Sequence, residues 1–353
     1  MQAAYFVGKR EFDLCEVGDP ACPMDGLVIN VNACAICGTD LKIINNVDQK
    51  MEGREARRME LPRITGHEFS GTIIEVGKDV RGFIVGENVV VAVSVPCMQC
   101  PTCQRGYYEM CDHLMVVGYD CDGGFAEQHM VARKVLDSQC VLKVGEVNDL
   151  DPFALSEPLS CAINCYSLNP IRKGDTVVVL GAGPLGCFLV ELAKFYQAGN
   201  TIITDISAEQ AHIAEICNPD WAINDYGPSL IEKILEITKG NGADLVITAC
   251  PSPEAQQDAI LLATKRGSVN FFGGLPRDRS TVNLDTNLIH YRELTITGTH
   301  GSQPKQVEKA ISLIKNGNLK IDKYITHRFP LREINQAFEQ AQHGNRLKIL
   351  VKP

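Results

Sequence analysis

The 353-residue sequence contains no apolar run that approaches the roughly 20 residues a membrane-spanning helix requires. It also lacks an excess of basic side chains, since 34 lysines and arginines stand against 43 aspartates and glutamates. No basic block and no low-complexity tract occurs. These absences argue against a membrane protein and against a nucleic-acid-binding protein. The first residues carry charges early and do not match a secretory signal, so we expect a cytoplasmic protein.

Cysteine, in contrast, is abundant: the chain has 15, an odd number. In a protein without a secretory signal, cysteines are expected as reduced thiols or metal ligands and not as a disulfide framework. The length predicts about two domains, and the hydrophobic fraction of 45% allows each to form its own core.

The stretch 176–205 has the features of a nucleotide-binding βαβ unit. Residues 176–180 are a β-branched apolar run that predicts a buried parallel strand, and residues 187–196 have helical spacing. Between them lies a G-x-G-x-x-G turn, in which glycines permit a tight turn, close approach to a pyrophosphate and packing of helix on strand. The helix N-terminus offers N–H groups to the phosphates. The predicted nucleotide-binding residues of this turn are Gly181, Gly183, Pro184, Leu185 and Gly186.

Asp205 ends the second predicted strand of this unit, residues 201–204. A carboxylate at this position accepts hydrogen bonds from an adenosine ribose 2′-OH and repels a 2′-phosphate. Ile206 and Ser207 supply no compensating cation. The sequence therefore predicts NAD, in preference to NADP, as the cofactor.

The predicted secondary structure changes along the chain. Short apolar runs between turn residues predict β-strands up to about residue 145 and a small barrel-like domain. From about residue 151 to 290, helical spacing alternates with buried-type strands at 176–180, 201–204, 245–249 and 268–273, which predicts a parallel sheet flanked by helices. The most charged segment, residues 47–63, is expected to be a surface loop or a short helix. A phosphate clamp formed by its arginines is the alternative.

Four cysteines follow one another with the spacing C-x2-C-x2-C-x7-C, at Cys97, Cys100, Cys103 and Cys111. Four thiolates at this spacing can close a tetrahedral Zn²⁺ site without an open position, which is a structural site. The segment has little apolar content, so metal binding would drive its folding. An iron–sulfur cluster and unrelated free cysteines are the alternatives.

A second set of metal-ligand types is dispersed in the sequence. Cys37, His67, Glu68 and Glu157 include the thiol, imidazole and carboxylate found at open, catalytic Zn²⁺ sites. Taken singly, each also has an ordinary structural interpretation. The cysteine could be a small buried hydrophobe, the histidine a hydrogen-bonded core residue, and Glu157 a helix cap.

Together these patterns resemble the zinc-containing medium-chain dehydrogenase/reductase family, most closely its polyol (sorbitol dehydrogenase-like) branch, with the threonine dehydrogenase-like branch close behind. The resemblance covers essentially the whole chain. It is carried by C-G-T-D at 37–40, G-H-E-F-S-G at 66–71, the four cysteines, D-G-G-F-A-E at 122–127, Glu157-Pro158 and the nucleotide-binding turn.

The resemblance implies an α/β fold with two domains. A Rossmann doubly wound parallel sheet is expected at 154–293. A GroES-like β-barrel catalytic domain is expected at 1–153 and 294–353, with a structural zinc lobe at about 94–114. The active site is expected in the cleft between the two domains.

The resemblance also implies roles for individual residues. Cys37, His67 and Glu68 are the implied protein ligands of a catalytic Zn²⁺. Glu157 is an implied fourth, exchangeable ligand or a partner of the metal-bound water. The metal then serves as a Lewis acid for the substrate alcohol, whose hydride passes to NAD. Thr39 is implied to take the alcohol proton, with a locally bonded turn hydroxyl as the alternative.

Lys42 departs from the family pattern, in which a histidine commonly stands at this position and passes the proton to solvent. An unperturbed lysine titrates near 10.4 and is a poor relay. Two hypotheses stay open. Lys42 is either a surface cation near the nicotinamide ribose, with water as the relay, or a residue that binds an anionic group of the substrate.

Residues after two later strands match further family positions. The predicted cofactor contacts there are Gly273, Gly274, Leu275 and Thr299. For His300, a substrate contact and ordinary loop hydrogen bonds are both open. Tyr119 and Phe125 are candidates for lining the cleft, with ordinary packing as the alternative.

The sequence therefore predicts an NAD-dependent oxidoreductase with two Zn²⁺ per chain that interconverts a secondary alcohol of a polyol or sugar derivative and its ketone. The alternatives are oxidation of L-threonine or another amino alcohol, and oxidation of a sugar phosphate or polyol phosphate. A nucleotide-binding scaffold without catalytic zinc is the non-enzymatic alternative. We expect a small-molecule substrate, no nucleic-acid or membrane partner, and a homodimer or homotetramer.

Overall fold

The computed structural model describes residues 1–8, 10–45, 59–343 and 346–353. The predicted surface loop at 47–63 lies outside these ranges except for its last five residues. The chain forms two compact units, one of residues 1–160 with 301–353 and one of residues 161–300. Among the described residues, no helix has both the length and the apolar character needed to cross a bilayer.

Short strands dominate the chain up to residue 168, and helices alternate with strands beyond it. The elements up to residue 168 are β1 (Gln2–Phe6), β2 (Phe12–Glu16), β3 (Leu27–Ala35), α1 (Gly38–Asn45), β4 (Arg63–Ile64), β5 (Glu68–Val76), β6 (Asn88–Val91), β7 (Ser94–Val95), α2 (Pro101–Gln104), β8 (Met115–Val116), β9 (Gln128–Val131), α3 (Arg133–Asp137), β10 (Val141–Lys143) and α4 (Ser156–Leu168). The following elements are β11 (Thr176–Leu180), α5 (Pro184–Phe195), β12 (Asn200–Thr204), α6 (Ala208–Ile213), β13 (Trp221–Ile223), α7 (Gly227–Ile237), β14 (Ala243–Thr248), α8 (Pro253–Leu262), β15 (Ala263–Phe271), α9 (Thr286–Arg292) and β16 (Thr295–Gly298). The last elements are α10 (Pro304–Lys315), β17 (Ile325–Pro330), α11 (Ile334–Gln342) and β18 (Lys348–Lys352).

The first unit is built on a seven-stranded sheet in the order β10-β6-β5-β3-β18-β17, with β9 paired to β3. All of its pairs are antiparallel except β17 with β18. A three-stranded sheet, β2-β1-β4, belongs to the same unit. Apolar residues of both sheets share one core with α10 and α11. The prediction that the N-terminal part consists mainly of β-strands is thus confirmed.

The second unit contains a six-stranded sheet in the order β13-β12-β11-β14-β15-β16, and every pair in it is parallel. The five residues of β11 are all buried, as expected for a central strand of a parallel sheet. This confirms the predicted parallel sheet. The second unit continues to residue 300 because β16 pairs with β15. The predicted domain limits at 153 and 294 stay predictions.

Candidate active site

Cys37 lies just after β3, in the turn that leads into α1. The backbone N–H of Cys37 donates to Oδ2 of Asp40 over 2.9 Å, and the N–H of Thr39 donates to the Cys37 sulfur over 3.4 Å. The Thr39 hydroxyl lies 3.6 Å from the same sulfur. The C-G-T-D sequence therefore folds onto itself and holds a thiol and a hydroxyl side by side at the start of a helix.

His67 and Glu68 reach Cys37 through the pairing of β3 with β5. In this antiparallel ladder Glu68 stands opposite Ala35, which is two residues before Cys37. Gly66 has φ of +92°, and a Cβ at this position would lie 2.7 Å from a buried sulfur atom, so a side chain does not fit. As a result, one potential ligand atom from each of Cys37, His67 and Glu68 lies within 4.8 Å of the other two.

The buried imidazole of His67 has two polar neighbours at Nδ1. The Tyr119 hydroxyl lies 2.8 Å from this nitrogen, and Oδ1 of Asp40 lies 3.3 Å from it. Burial opposes a charged imidazole, but the charges of Asp40 and Cys37 outweigh it and raise the pKa of His67 well above its usual value. Both polar neighbours lie on the Nδ1 side of the ring.

Glu68 is fully buried and paired with Lys348 of β18. The ammonium nitrogen lies 2.7 Å from Oε1 and 2.5 Å from Oε2 of the carboxylate. Burial acts to lower the pKa of Lys348, but the charge of Glu68 outweighs it, so that the pKa is raised and the lysine stays charged. Sequence reasoning missed this lysine. Its signal is a lysine at the first position of β18, between the apolar Leu347 and Ile349.

The three residues fit a catalytic zinc ion. A thiolate, an imidazole and a carboxylate are ligand types of open Zn²⁺ sites, in which three protein ligands leave a position for water or substrate. Oδ1 of Asp40 is buried without a hydrogen bond of good geometry, and a carboxylate behind a histidine is the usual means of orienting that ligand. The structure brings Cys37, His67 and Glu68 together, while their role as ligands stays a prediction.

Glu157 does not belong to this three-residue group. It lies in the first turn of α4, where its carbonyl oxygen accepts a hydrogen bond from the Ser160 hydroxyl over 2.5 Å. Burial is the main reason that the pKa of Tyr119 is raised well above its usual value, and neighbouring anions including Glu157 contribute. Lys42 is exposed on α1. The roles predicted for Glu157 and Lys42 stay predictions.

The sulfur atoms of the predicted structural zinc lobe lie within 4.8 Å of one another, at Cys97, Cys100, Cys103 and Cys111. Backbone N–H donors, that of Gln99 first, lower the pKa of Cys97 to about 6, whereas burial raises the pKa of Cys103 to about 12. Among the described residues, only two further hydrophobic side chains pack with these cysteines. The set fits a closed four-cysteine zinc site that forms the core of its own lobe.

Two of the three glycines of the nucleotide-binding turn, Gly181 and Gly186, meet a steric demand in the second unit, whereas a Cβ on Gly183 would meet no atom within 4 Å. Gly181 follows β11 with φ of +113°. A Cβ on Gly186 would lie 2.0 Å from the carbonyl oxygen of Gly181, so the helix packs directly on the turn. Gly183 caps α5, and Pro184 and Leu185 form its first turn. This is the arrangement expected of a dinucleotide-binding βαβ unit.

Asp205 lies at the end of β12, and its carboxylate is fixed by the backbone. Oδ2 accepts a hydrogen bond from the N–H of Ala182, and Oδ1 accepts one from the N–H of Ser207, each over 2.9 Å. The next side chain, Ile206, is 77% exposed. The predicted nucleotide-recognition acid is therefore held against the glycine turn beside an apolar, uncharged neighbour.

The other predicted cofactor residues follow the carboxyl ends of β15 and β16, the edge of the parallel sheet at which nucleotides bind in such folds. Gly273 donates from its N–H to the carbonyl of Thr248 over 2.7 Å. The hydroxyl of buried Thr299 accepts a hydrogen bond from Asn270 over 2.9 Å. Gly274 is exposed and Leu275 partly buried.

Two further candidates differ in exposure. His300 is exposed. Phe125 is fully buried and packs edge-on against Phe12 and Phe338, so ordinary core packing accounts for it.

Comparison with known proteins gives the family. Residues 23–140 match the family model for the alcohol dehydrogenase GroES-like domain, and residues 184–316 match that for zinc-binding dehydrogenases. An L-threonine 3-dehydrogenase of Pyrococcus furiosus is 31% identical over 341 residues, which cover 96% of this chain and 94% of that protein. The chain belongs to the zinc-binding dehydrogenase family.

Two further similarities extend over nearly the whole of this zinc-binding dehydrogenase. A sorbitol dehydrogenase of Halalkalibacterium halodurans is 30% identical, with 98% of this chain and 97% of the relative covered. A solved structure described as a zinc-binding dehydrogenase of Sinorhizobium meliloti 1021, bound to NADP, superimposes with a TM-score of 0.89 at 28% identity, covering 100% and 99% of the two chains. The predicted GroES-like and Rossmann fold, and an NAD(P)-dependent zinc alcohol dehydrogenase, are thereby confirmed.

Proposed function

We propose that this zinc-binding dehydrogenase interconverts a secondary alcohol of a polyol or sugar derivative and its ketone, with NAD as the hydride acceptor. The convergence of Cys37, His67 and Glu68 carries the proposal, because it supplies three ligands of different chemistry at one point. When bound there, Zn²⁺ supplies a Lewis acid that polarises the alcohol oxygen. Sorbitol and L-threonine, the compounds for which two relatives are named, both carry a secondary hydroxyl group.

The chain's own residues prepare this site for proton and charge transfer. The Thr39 hydroxyl, beside the Cys37 sulfur, relays the proton that the alcohol loses: it accepts that proton as it gives its own to solvent water. Lys348 orients the carboxylate of Glu68 by donating to both of its oxygens. Asp40 orients Cys37, because its Oδ2 accepts a hydrogen bond from the N–H of Cys37, and its Oδ1 faces Nδ1 of His67 over 3.3 Å. Glu157 is the fourth, exchangeable group.

NAD is the proposed cofactor because of Asp205. Its carboxylate is held in place by two backbone N–H groups, and it would repel a 2′-phosphate while accepting hydrogen bonds from a 2′-OH. The remaining proposed nucleotide contacts are those of the glycine turn together with Gly273, Gly274, Leu275 and Thr299.

Metal analysis tests the enzyme against a non-catalytic scaffold. The proposal expects two zinc ions per chain in the wild-type protein, one of them lost in a Cys37→Ser variant and the other retained by the four-cysteine lobe. A scaffold with structural zinc alone would contain one ion per chain, and the Cys37→Ser variant would contain the same amount.

An NADH-production screen tests the substrate class. Polyols and sugar acids should be oxidised faster than L-threonine. The reverse order would favour the amino-alcohol alternative, which the 31% identity with an L-threonine 3-dehydrogenase supports. Sugar phosphates complete the panel. If they are preferred, Lys42→Ala should raise KM for the phosphorylated compound and leave the pH–rate profile unchanged.

The proposed oligomer is a homodimer or homotetramer in which β16 pairs with its counterpart. This strand is the edge of the six-stranded sheet, and its residues are exposed or half-buried. Light scattering measures the mass. The N–H of Thr299 faces Phe271 of β15, and N–H directions alternate along a strand, so the N–H of Ile296 faces the free edge. Ile296→Pro should therefore weaken the association by removing a backbone donor. We also propose a cytoplasmic location, since all 15 cysteines are free thiols.

A further inference from the structure

The Tyr119 hydroxyl contacts a proposed metal ligand directly. It lies 2.8 Å from Nδ1 of His67, and the two ring centroids are 5.1 Å apart at an interplanar angle of 45°. Sequence reasoning offered Tyr119 only as a residue that lines the cleft or packs ordinarily. The structure instead places its one polar atom behind the imidazole.

A rigid turn delivers Tyr119 to this position. The N–H of Tyr119 donates to the carbonyl of Val116 over 3.1 Å, and the N–H of Val116 donates to the carboxylate of Asp120 over 2.8 Å. Gly118 has φ of +89°, and a Cβ there would lie 2.9 Å from the carbonyl oxygen of Gly66. Two glycines therefore let the turn rest on the backbone immediately before His67.

The chemistry of a metal-bound imidazole decides which ring nitrogen of His67 carries the proton. A neutral histidine that binds a metal through one ring nitrogen carries its proton on the other, and the partner of that second nitrogen fixes both the tautomer and the ring orientation. In His67 the second nitrogen is Nδ1, because Nδ1 faces both Tyr119 and Asp40. Of the two, Asp40 lies farther away and Oδ1 makes no hydrogen bond of good geometry.

We infer that Tyr119 is a positioning residue of the catalytic metal site, whose hydroxyl holds His67 at Nδ1 and thereby presents Nε2 to the metal. The inference rests on the proposed function, because it requires that His67 is a zinc ligand. It adds a neutral hydroxyl to the carboxylate that usually orients such a histidine.

Tyr119→Phe tests the inference, because it removes the hydroxyl and keeps the ring. Tyr5→Phe is the matched control, a half-buried tyrosine on β1 of the same unit. His67→Ala defines the zinc content that is left when the catalytic site is lost. Each protein is titrated with a competing chelator, and zinc per chain is measured together with kcat, KM and the melting temperature of the metal-free form.

The expected result is a roughly 10- to 100-fold weaker zinc affinity at one of the two sites in Tyr119→Phe. Affinity at the other site and the melting temperature of the metal-free protein should match those of Tyr5→Phe. An unchanged zinc affinity overturns the inference, and a raised KM with unchanged zinc affinity overturns it in favour of a substrate contact. Failure of the proposed function looks different, because the wild-type protein would then hold no more zinc than His67→Ala.

Discussion

The ammonium of Lys348 lies 2.5 Å from Oε2 of Glu68, and the two residues are 280 positions apart in the sequence. The Lys348 side chain is 4% exposed and that of Glu68 is 0% exposed. A carboxylate buried so deeply depends on a partner, because an isolated charge in a protein interior is strongly destabilised. The pair thus links the proposed metal site to β18.

Replacing Lys348 by methionine should strongly destabilise the protein. The change leaves the Glu68 carboxylate buried without its cation, which typically costs about 3–5 kcal/mol. Urea-induced unfolding of the metal-free protein measures the loss. Lys143→Met, which breaks the exposed pair with Glu87, is the control and should change stability little. Addition of Glu68→Gln to Lys348→Met should recover much of the loss, and equal effects of Lys143→Met and Lys348→Met would contradict the prediction.

Exchange of the charge at the end of β12 should change the cofactor preference. Asp205→Ala combined with Ile206→Arg removes the anion and adds a cation for a 2′-phosphate. The ratio of kcat/KM for NAD to that for NADP should fall by at least about tenfold, equivalent to about 1.4 kcal/mol. Glu209→Ala removes an exposed acid of α6 nearby and serves as the control. The prediction fails if the ratio is the same in both variants.

Loss of one ligand should unfold the four-cysteine lobe. Cys111→Ser leaves three thiols for a closed site that requires four ligands. Since the lobe has few apolar contacts of its own, its order depends on the metal. The variant should lose one zinc per chain, and a protease should cleave within residues 97–111. Cys140→Ser, at a buried thiol outside the lobe, should retain both ions. A Cys111→Ser protein that resists the protease as wild type does would show that the lobe folds without its metal.

Stability should fall with decreasing pH because of His129. His129 lies in β9, and its ring is buried against that of Phe69 in β5. Burial lowers the pKa of His129 to about 4. Since the unfolded chain binds this proton near pH 6.5, the contribution to stability is complete above pH 6.5 and is lost as the pH falls toward 4. At pH 5 the loss should be about 2 kcal/mol.

His129→Gln removes this titration and leaves the other acid-sensitive groups in place. The difference in unfolding free energy between pH 7.5 and pH 5 should therefore be about 2 kcal/mol smaller in the variant than in the wild-type protein. Equal pH dependence in the two proteins would exclude His129 as the source.

The parts of the site that are formed by residues close together in the sequence were predictable from the sequence. The Gly181 turn and Asp205 belong to one continuous βαβ unit, and the four cysteines lie within fifteen residues. Asp40 and Lys348 escaped sequence reasoning for different reasons. Asp40 acts within a predicted motif but on a histidine that strand pairing supplies, and the pairing of β18 with β3 brings Lys348 to Glu68 from the far end of the numbering.

Strand limits were likewise predictable only where they depend on residues close in the sequence. The strand predicted at 176–180 has those limits in the structure. That predicted at 268–273 begins instead at Ala263. Its first residue pairs with Ala243 before a register irregularity in the β14–β15 ladder, and a single-strand pattern carries no information about such an irregularity.

The late position of Lys348 in the chain has a consequence for biosynthesis. On the ribosome, Cys37, His67 and Glu68 emerge long before the lysine that balances them, and the entire nucleotide-binding unit is made in between. A nascent chain therefore cannot complete this centre as it appears. Completion of the metal centre is therefore a late step of biosynthesis. A chain that ends before residue 348 would contain the carboxylate of Glu68 without the cation that pairs with it.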